Sequence, residues 1–151
     1  MCALVAALGD LGILQSLYRK VHVPFEVCKE ITASGAGGFA APQFEQARWL
    51  QRWNEPTDLI PLLRNTLDSG EASVIQLALN QGIQTVCIDE SVGRRVARLS
   101  GLTLTGSLGI LIRAKQEGYP LSIREAVERM KQRGIWLSDV LVVSALSRAG
   151  E

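Results

Sequence analysis

Apolar residues recur at helical spacing from the beginning of the chain, with Leu4, Leu8, Leu11, Leu14 and Leu17 three or four positions apart. A β-branched run, Val21-His22-Val23, follows and stops at Pro24. Proline has no N–H, and the first turn of a helix has no partner for one, so Pro24 opens a helix expected to reach Thr32. Ser34-Gly35-Ala36-Gly37-Gly38 reads as a flexible connection. A second helical stretch is expected through Gln43 to Leu50, with Trp53 near a short strand or turn before Pro56.

The middle of the chain alternates more clearly. Leu59 to Leu67 reads as helix, and Asp68-Ser69-Gly70-Glu71 starts another, with an acid at its cap and a Glu three residues on. That helix runs to Asn80 and stops at Gly82. Thr85-Val86-Cys87-Ile88 has the composition of a buried parallel strand, and Asp89 follows it directly. A helix from Glu90 to Leu99 ends at Gly101, and Leu102-Thr103-Leu104 predicts one more strand. Thr105-Gly106-Ser107 opens a helix to Gln116, Ser122-Ile123-Arg124-Glu125 forms a capping box, and a last helix starts at Ser138. Short apolar strands alternating with helices predict an α/β fold with a parallel sheet covered on both faces. In such sheets chemistry collects at the carboxyl ends of the strands, where Asp89 stands.

A length of 151 residues, 47% of them hydrophobic and 21% charged, fits a single soluble globular domain. Sixteen basic residues against fifteen acidic ones leave a net charge of +1, so any polyanion-binding surface must come from local clustering. Met1 to Leu17 is apolar but interrupted by Gly9, Asp10 and Gly12, without a basic start or the length of a membrane span; it is expected to be part of the fold. Three widely spaced cysteines in apolar runs read as buried free thiols of a protein in a reducing cytoplasm.

A lone histidine, His22, sits between valines, and no Ser-His-Asp or Cys-His arrangement is available. The glycine-rich run is neither preceded by a strand nor followed by a lysine, so it does not read as a phosphate cradle. That leaves acids: Glu30 near the end of the helix opened by Pro24, Glu71 at a helix start, and Asp89 at a strand end. Convergence of these three would make an all-oxygen site suited to Mg²⁺ or Mn²⁺ rather than zinc. Each also has a plainer role: Glu71 completing a capping box, Asp89 capping the next helix, Glu30 facing solvent. Arg94, Arg95 and Arg98 on one helix, with Arg113 and Lys115 on the next, could contact phosphates or simply form a solvated flank. Trp49, Trp53 and Trp136 fit core or interface packing better than base stacking.

The combination is more specific than its parts. Leu67-Asp68-Ser69-Gly70-Glu71-Ala72, Ile88-Asp89-Glu90, Gly93-Arg94-Arg95-Val96-Ala97 and Gly101 through Gly109, in that order, closely resemble a branch of the PIN-like domain family. That branch is toxin-type and VapC-like; Pro24 to Glu30 and the closing Gly134 to Glu151 resemble it too. The resemblance implies a three-layer α/β/α fold over residues 1–151, with 119–151 as a C-terminal helical extension. It implies an endoribonuclease using Mg²⁺ or Mn²⁺, with Glu30, Glu71 and Asp89 as catalytic metal-binding acids and Glu90 beside them. Thr105 and Ser107, with the three arginines, would line the nucleic-acid side, and Ser107 could equally cap the next helix. The implied partners are RNA and a small antitoxin. Members of the branch begin with a strand ending in Asp-Thr/Ser-Ser, whereas the matching region here starts at Met1-Cys2-Ala3-Leu4. The central strand and one metal ligand are therefore expected to be missing or replaced, through a start codon placed too late or a shortened, inactive relative. Either leaves open strand edges, which motivates self-association as a dimer.

Overall fold

The computed structural model describes residues 1–33 and 38–151; positions 34–37 of the expected flexible connection lie outside them. The chain divides into two compact units, one made of Lys20–Gly38 and Trp49–Gly106, the other of Met1–Arg19, Phe39–Arg48 and Ser107–Glu151.

The first unit holds the strands. β1 (His22–Val23) leads into α3 (Phe25–Ala33), and β2 (Gln51–Arg52) precedes α5 (Pro61–Thr66) and α6 (Ser69–Gln81). β3 (Thr85–Cys87), α7 (Ser91–Leu99) and β4 (Thr103–Thr105) complete it. β1 runs parallel to β2, with His22 opposite Gln51, and β3 runs parallel to β4, with Thr85 opposite Thr103. Among the described residues these are two separate pairs and not one continuous sheet. This is the α/β class expected, with short parallel strands.

Local chemistry sets the element ends. Asp68 accepts from the Glu71 N–H at 2.9 Å and so caps α6, while Gly82 ends that helix at φ 65° with its N–H on the Ala78 carbonyl. α6 packs on α3 and sends Ala72, Ile75 and Ala78 into a core with Leu63, Val86, Ile88 and Ala97. β3 differs from the fully buried strand expected: Val86 is buried, but Thr85 and Cys87 are exposed. Strand alternation puts those two on the opposite face from Val86.

The second unit is helical. α1 (Cys2–Leu8) and α2 (Gly12–Leu17) replace the single leucine-rich helix that the spacing suggests. Gly9 turns left-handed at φ 83° and Asp10 accepts from the Gly12 N–H at 2.7 Å, so local turn chemistry overrides the periodicity. α4 (Ala41–Gln46) starts and ends earlier than expected, because Ala47 leaves helical geometry and a turn at 48–49 precedes β2. α10 (Asp139–Arg148) packs on both α8 (Ser107–Gln116) and α9 (Ile123–Gln132), and α1 lies along α9. Arg129 donates to the Ala7 carbonyl at 3.1 Å, supplying a partner where α1 runs out of them. Glu151 caps α9 from outside, accepting from the Ile123 N–H at 2.6 Å, the Ser122 hydroxyl at 2.8 Å and Lys115 at 2.8 Å.

One expectation is overturned: the cysteines are not buried thiols, since Cys2 and Cys87 are exposed and Cys28 is half-buried. Of the core or interface packing expected for Trp136, the core is excluded, since it is 84% exposed in the irregular stretch between α9 and α10.

Candidate active site

Glu30 stands on the last turns of α3, Glu71 in the first turn of α6, and Asp89 directly after the buried Ile88 that continues β3. Because α3 packs on α6, Glu30 reaches the α6 N-terminus, where the Gly70 N–H donates to its carboxylate. Its carboxyl oxygens lie against Gly70, and the Glu71 carboxylate lies in the same way against Gly93 in α7. Glu71 is thus not fully used by the α6 cap: its N–H serves Asp68 while its side chain lies on the next helix.

The electrostatics tie these acids together. Partial burial, then the neighbouring charges of Asp68, Glu90 and Glu30, raise the Glu71 carboxyl to about 7. Glu30 is raised for the same kind of reason, burial first and the Asp68 charge second, against a lowering hydrogen bond from Gly70. The positive end of α6 favours anions by about 0.3–1 kcal/mol, but desolvation and like-charge repulsion win at both residues. Asp68, which sequence reasoning took only as a cap, is therefore an electrostatic member of the cluster. The signal was available: an acid three residues before Glu71 at a helix start brings two carboxylates into the same turn.

Asp89 occupies a neighbouring position on Gly106, where its Oδ1 and the Arg94 guanidinium flank the backbone. It does not cap α7; that position belongs to Glu90. Arg94 donates to the Ile88 carbonyl at 2.8 Å and the Thr105 carbonyl at 3.2 Å. The Ile88 N–H in turn donates to the Thr105 carbonyl at 3.1 Å, so the carboxyl ends of β3 and β4 are fastened together beside Asp89.

The expected nucleic-acid residues fare differently. Arg94 is half-buried and committed to those carbonyls, whereas Arg95 and Arg98 are exposed. Thr105 is half-buried at the end of β4. In the helical unit, Ser107 is buried as the first residue of α8, Arg113 pairs with Glu117, and Lys115 pairs with Glu151.

A family model named DUF3368 and described as a PIN domain matches residues 1–151. The chain belongs to the PIN domain family. No curated protein and no solved structure is found to match it. Membership places this PIN domain in a nuclease family and among proteins that generally depend on a divalent metal.

Whether its acids fit such an ion has a two-sided answer. Their donor chemistry fits, since carboxylates whose charged form is disfavoured by burial and by neighbouring acids are relieved by a hard cation. Their arrangement supplies less than a full cage: among the described residues no three His, Cys, Asp or Glu side chains form a group that could hold a metal ion. Glu30 and Glu71 would contribute oxygens, with Asp89 and Glu90 adjoining. Among the described residues no helix is long and apolar enough to cross a membrane.

Proposed function

We propose that this PIN domain is an endoribonuclease of the metal-dependent kind, acting on RNA phosphodiesters as the toxin of a type II toxin–antitoxin pair. The observation that carries the reading is the Glu30–Glu71 pair at the α6 N-terminus, with the Glu71 carboxyl pushed up to about 7. Acids kept partly buried beside other carboxylates cost stability without a ligand to offset them, which makes this pair a functional candidate. Mg²⁺ or Mn²⁺ bound there would supply charge neutralisation at phosphorus and an oriented water. Glu30 and Glu71 would hold it, Asp89 and Glu90 would extend the acidic surface, and exposed Arg95 and Arg98 would meet the RNA backbone. A small antitoxin is the partner proposed to restrain it, and the cytoplasm the compartment in which free cysteines stay reduced. The test is RNA cleavage by the purified chain with Mn²⁺, compared with Glu71→Gln. Cleavage is expected only from the unaltered chain; equal cleavage by both would remove Glu71 from the reaction.

A second reading has its own observation: the strands form two separate pairs and no three-acid group is assembled among the described residues. On this reading the chain is a catalytically inactive module whose open strand edges bind a partner, or a second copy as a dimer. Calorimetry with Mn²⁺ separates the two. Tight one-to-one binding supports the nuclease, and no heat of binding supports the inactive module.

A further inference from the structure

Three glycines lie closer to the site's carboxylates than any side chain would permit. A Cβ on Gly70 would stand 2.5 Å from Glu30 Oε1 and 2.8 Å from Oε2. One on Gly93 would meet Glu71 Cδ and Oε1 at 2.9 Å, and one on Gly106 would meet Asp89 Oδ1 at 2.9 Å and Arg94 Nη1 at 3.0 Å. None of the three has a positive φ, so none is required by backbone conformation. Gly70 and Gly93 moreover lie in the first turns of α6 and α7, where glycine is a weaker helix former than alanine. Helix propensity therefore argues for alanine at both positions. What glycine provides is room for a carboxylate to lie directly on the backbone.

We infer that Gly70, Gly93 and Gly106 are positioning residues, each the floor on which one acid rests: Gly70 under Glu30, Gly93 under Glu71, Gly106 under Asp89. The inference rests on the reading of these acids as the functional site. The floors are interleaved with the acids. Gly70 adjoins Glu71 in the first turn of α6, and Gly93 lies four residues after Asp89. The atoms a new methyl would strike at 70 and 93 are the far ends of flexible side chains, not backbone. Alanine can therefore be accommodated by pushing the carboxylate aside, and fold and site should respond in opposite directions.

The decisive variant is Gly93→Ala, read in three ways. Thermal unfolding is expected at the unaltered temperature or a few degrees higher, because the helix gains propensity. The ¹³C-carboxyl resonance of Glu71 is expected to move while that of Glu125, on α9, stays in place. RNA cleavage with Mn²⁺ is expected to fall at least tenfold. Glu71→Asp withdraws the carboxylate by one methylene, so Gly93→Ala combined with Glu71→Asp should retain at least threefold more activity than the product of the two single losses. Gly70→Ala with Glu30→Asp repeats the design at the other floor. An unmoved Glu71 resonance, unfolding of Gly93→Ala, or additive single losses would overturn the inference. If the unaltered chain cleaves no RNA, the ribonuclease reading fails on that ground, and the carboxyl resonance still decides whether Gly93 is the floor.

Discussion

Arg94 offers a sharp test, because its geometry and its place in the sequence suggest different jobs. Its Nη1 holds the Ile88 carbonyl at 2.8 Å and the Thr105 carbonyl at 3.2 Å, at the carboxyl ends of β3 and β4. Arg94→Ala takes the guanidinium from both. The Thr105 carbonyl keeps the Ile88 N–H at 3.1 Å, so the larger loss falls on the Ile88 carbonyl. A hydrogen bond from a charged group is worth about 1.5–3 kcal/mol, and the half-exposed setting brings the expected cost to the lower part of that range, about 1.5–2 kcal/mol. For a chain of this length that is a fall in Tm of about 3–8 °C. Arg98→Ala, at an exposed position on the same helix, is the control and should stay within about 0.5 kcal/mol of the parent. The assay is urea unfolding of both variants alongside RNA binding at several salt concentrations. A phosphate contact would give the reverse pattern: unchanged stability and a salt slope reduced by about one. That pattern for Arg94→Ala would refute the strand-end role.

The remaining expectations concern the acids. Glu71 has a carboxyl raised from 4.5 to about 7, so above 4.5 the folded state holds a proton that the unfolded chain has released. Stability should therefore decline as pH rises from about 4.5 to about 7 and level off above, and Glu71→Gln should flatten that slope in unfolding curves. Asp68→Asn keeps an oxygen to cap α6 while removing the negative charge that, after burial, does most to raise Glu71, so Glu71 should titrate lower and stability at pH 8 should rise in urea unfolding. Glu151 shows the opposite sign: held at about 2 first by Lys115, it stabilises fully above 4.5 and loses this as pH falls toward 2. Glu151→Ala should cost about 1 kcal/mol at neutral pH by taking an acceptor from the Ile123 N–H while Ser122 still caps α9, measured by thermal unfolding.

How far the sequence carried depended on whether the physics was local. The α6 start was legible because Asp68 and Gly82 are a cap and a stop whose chemistry needs only neighbours. The α9 start at Ser122 was legible for the same reason. The break between α1 and α2 was not read, since the leucine spacing runs straight across Gly9. Half of β3 being exposed was equally hidden, because an apolar run does not say whether both faces of a strand will be covered. At the site, the positions of Glu30 and Glu71 followed from motif order, but the glycines beneath them did not. A glycine in a helical first turn reads as a weak former, and its use as empty space is visible only once the packing of α3, α6 and α7 is known.

The two strand pairs also differ in how much chain must be gathered to form them. Thr85 meets Thr103 across a single helix, whereas His22 meets Gln51 across α3, the 34–37 stretch and α4. The shorter closure is favoured by about 0.4 kcal/mol of chain entropy, and its intervening helix brings Ala97 onto Val86 and Ile88 in the same step. The β3–α7–β4 segment therefore gathers its strand pair, Asp89 and Arg94 from one short stretch of chain.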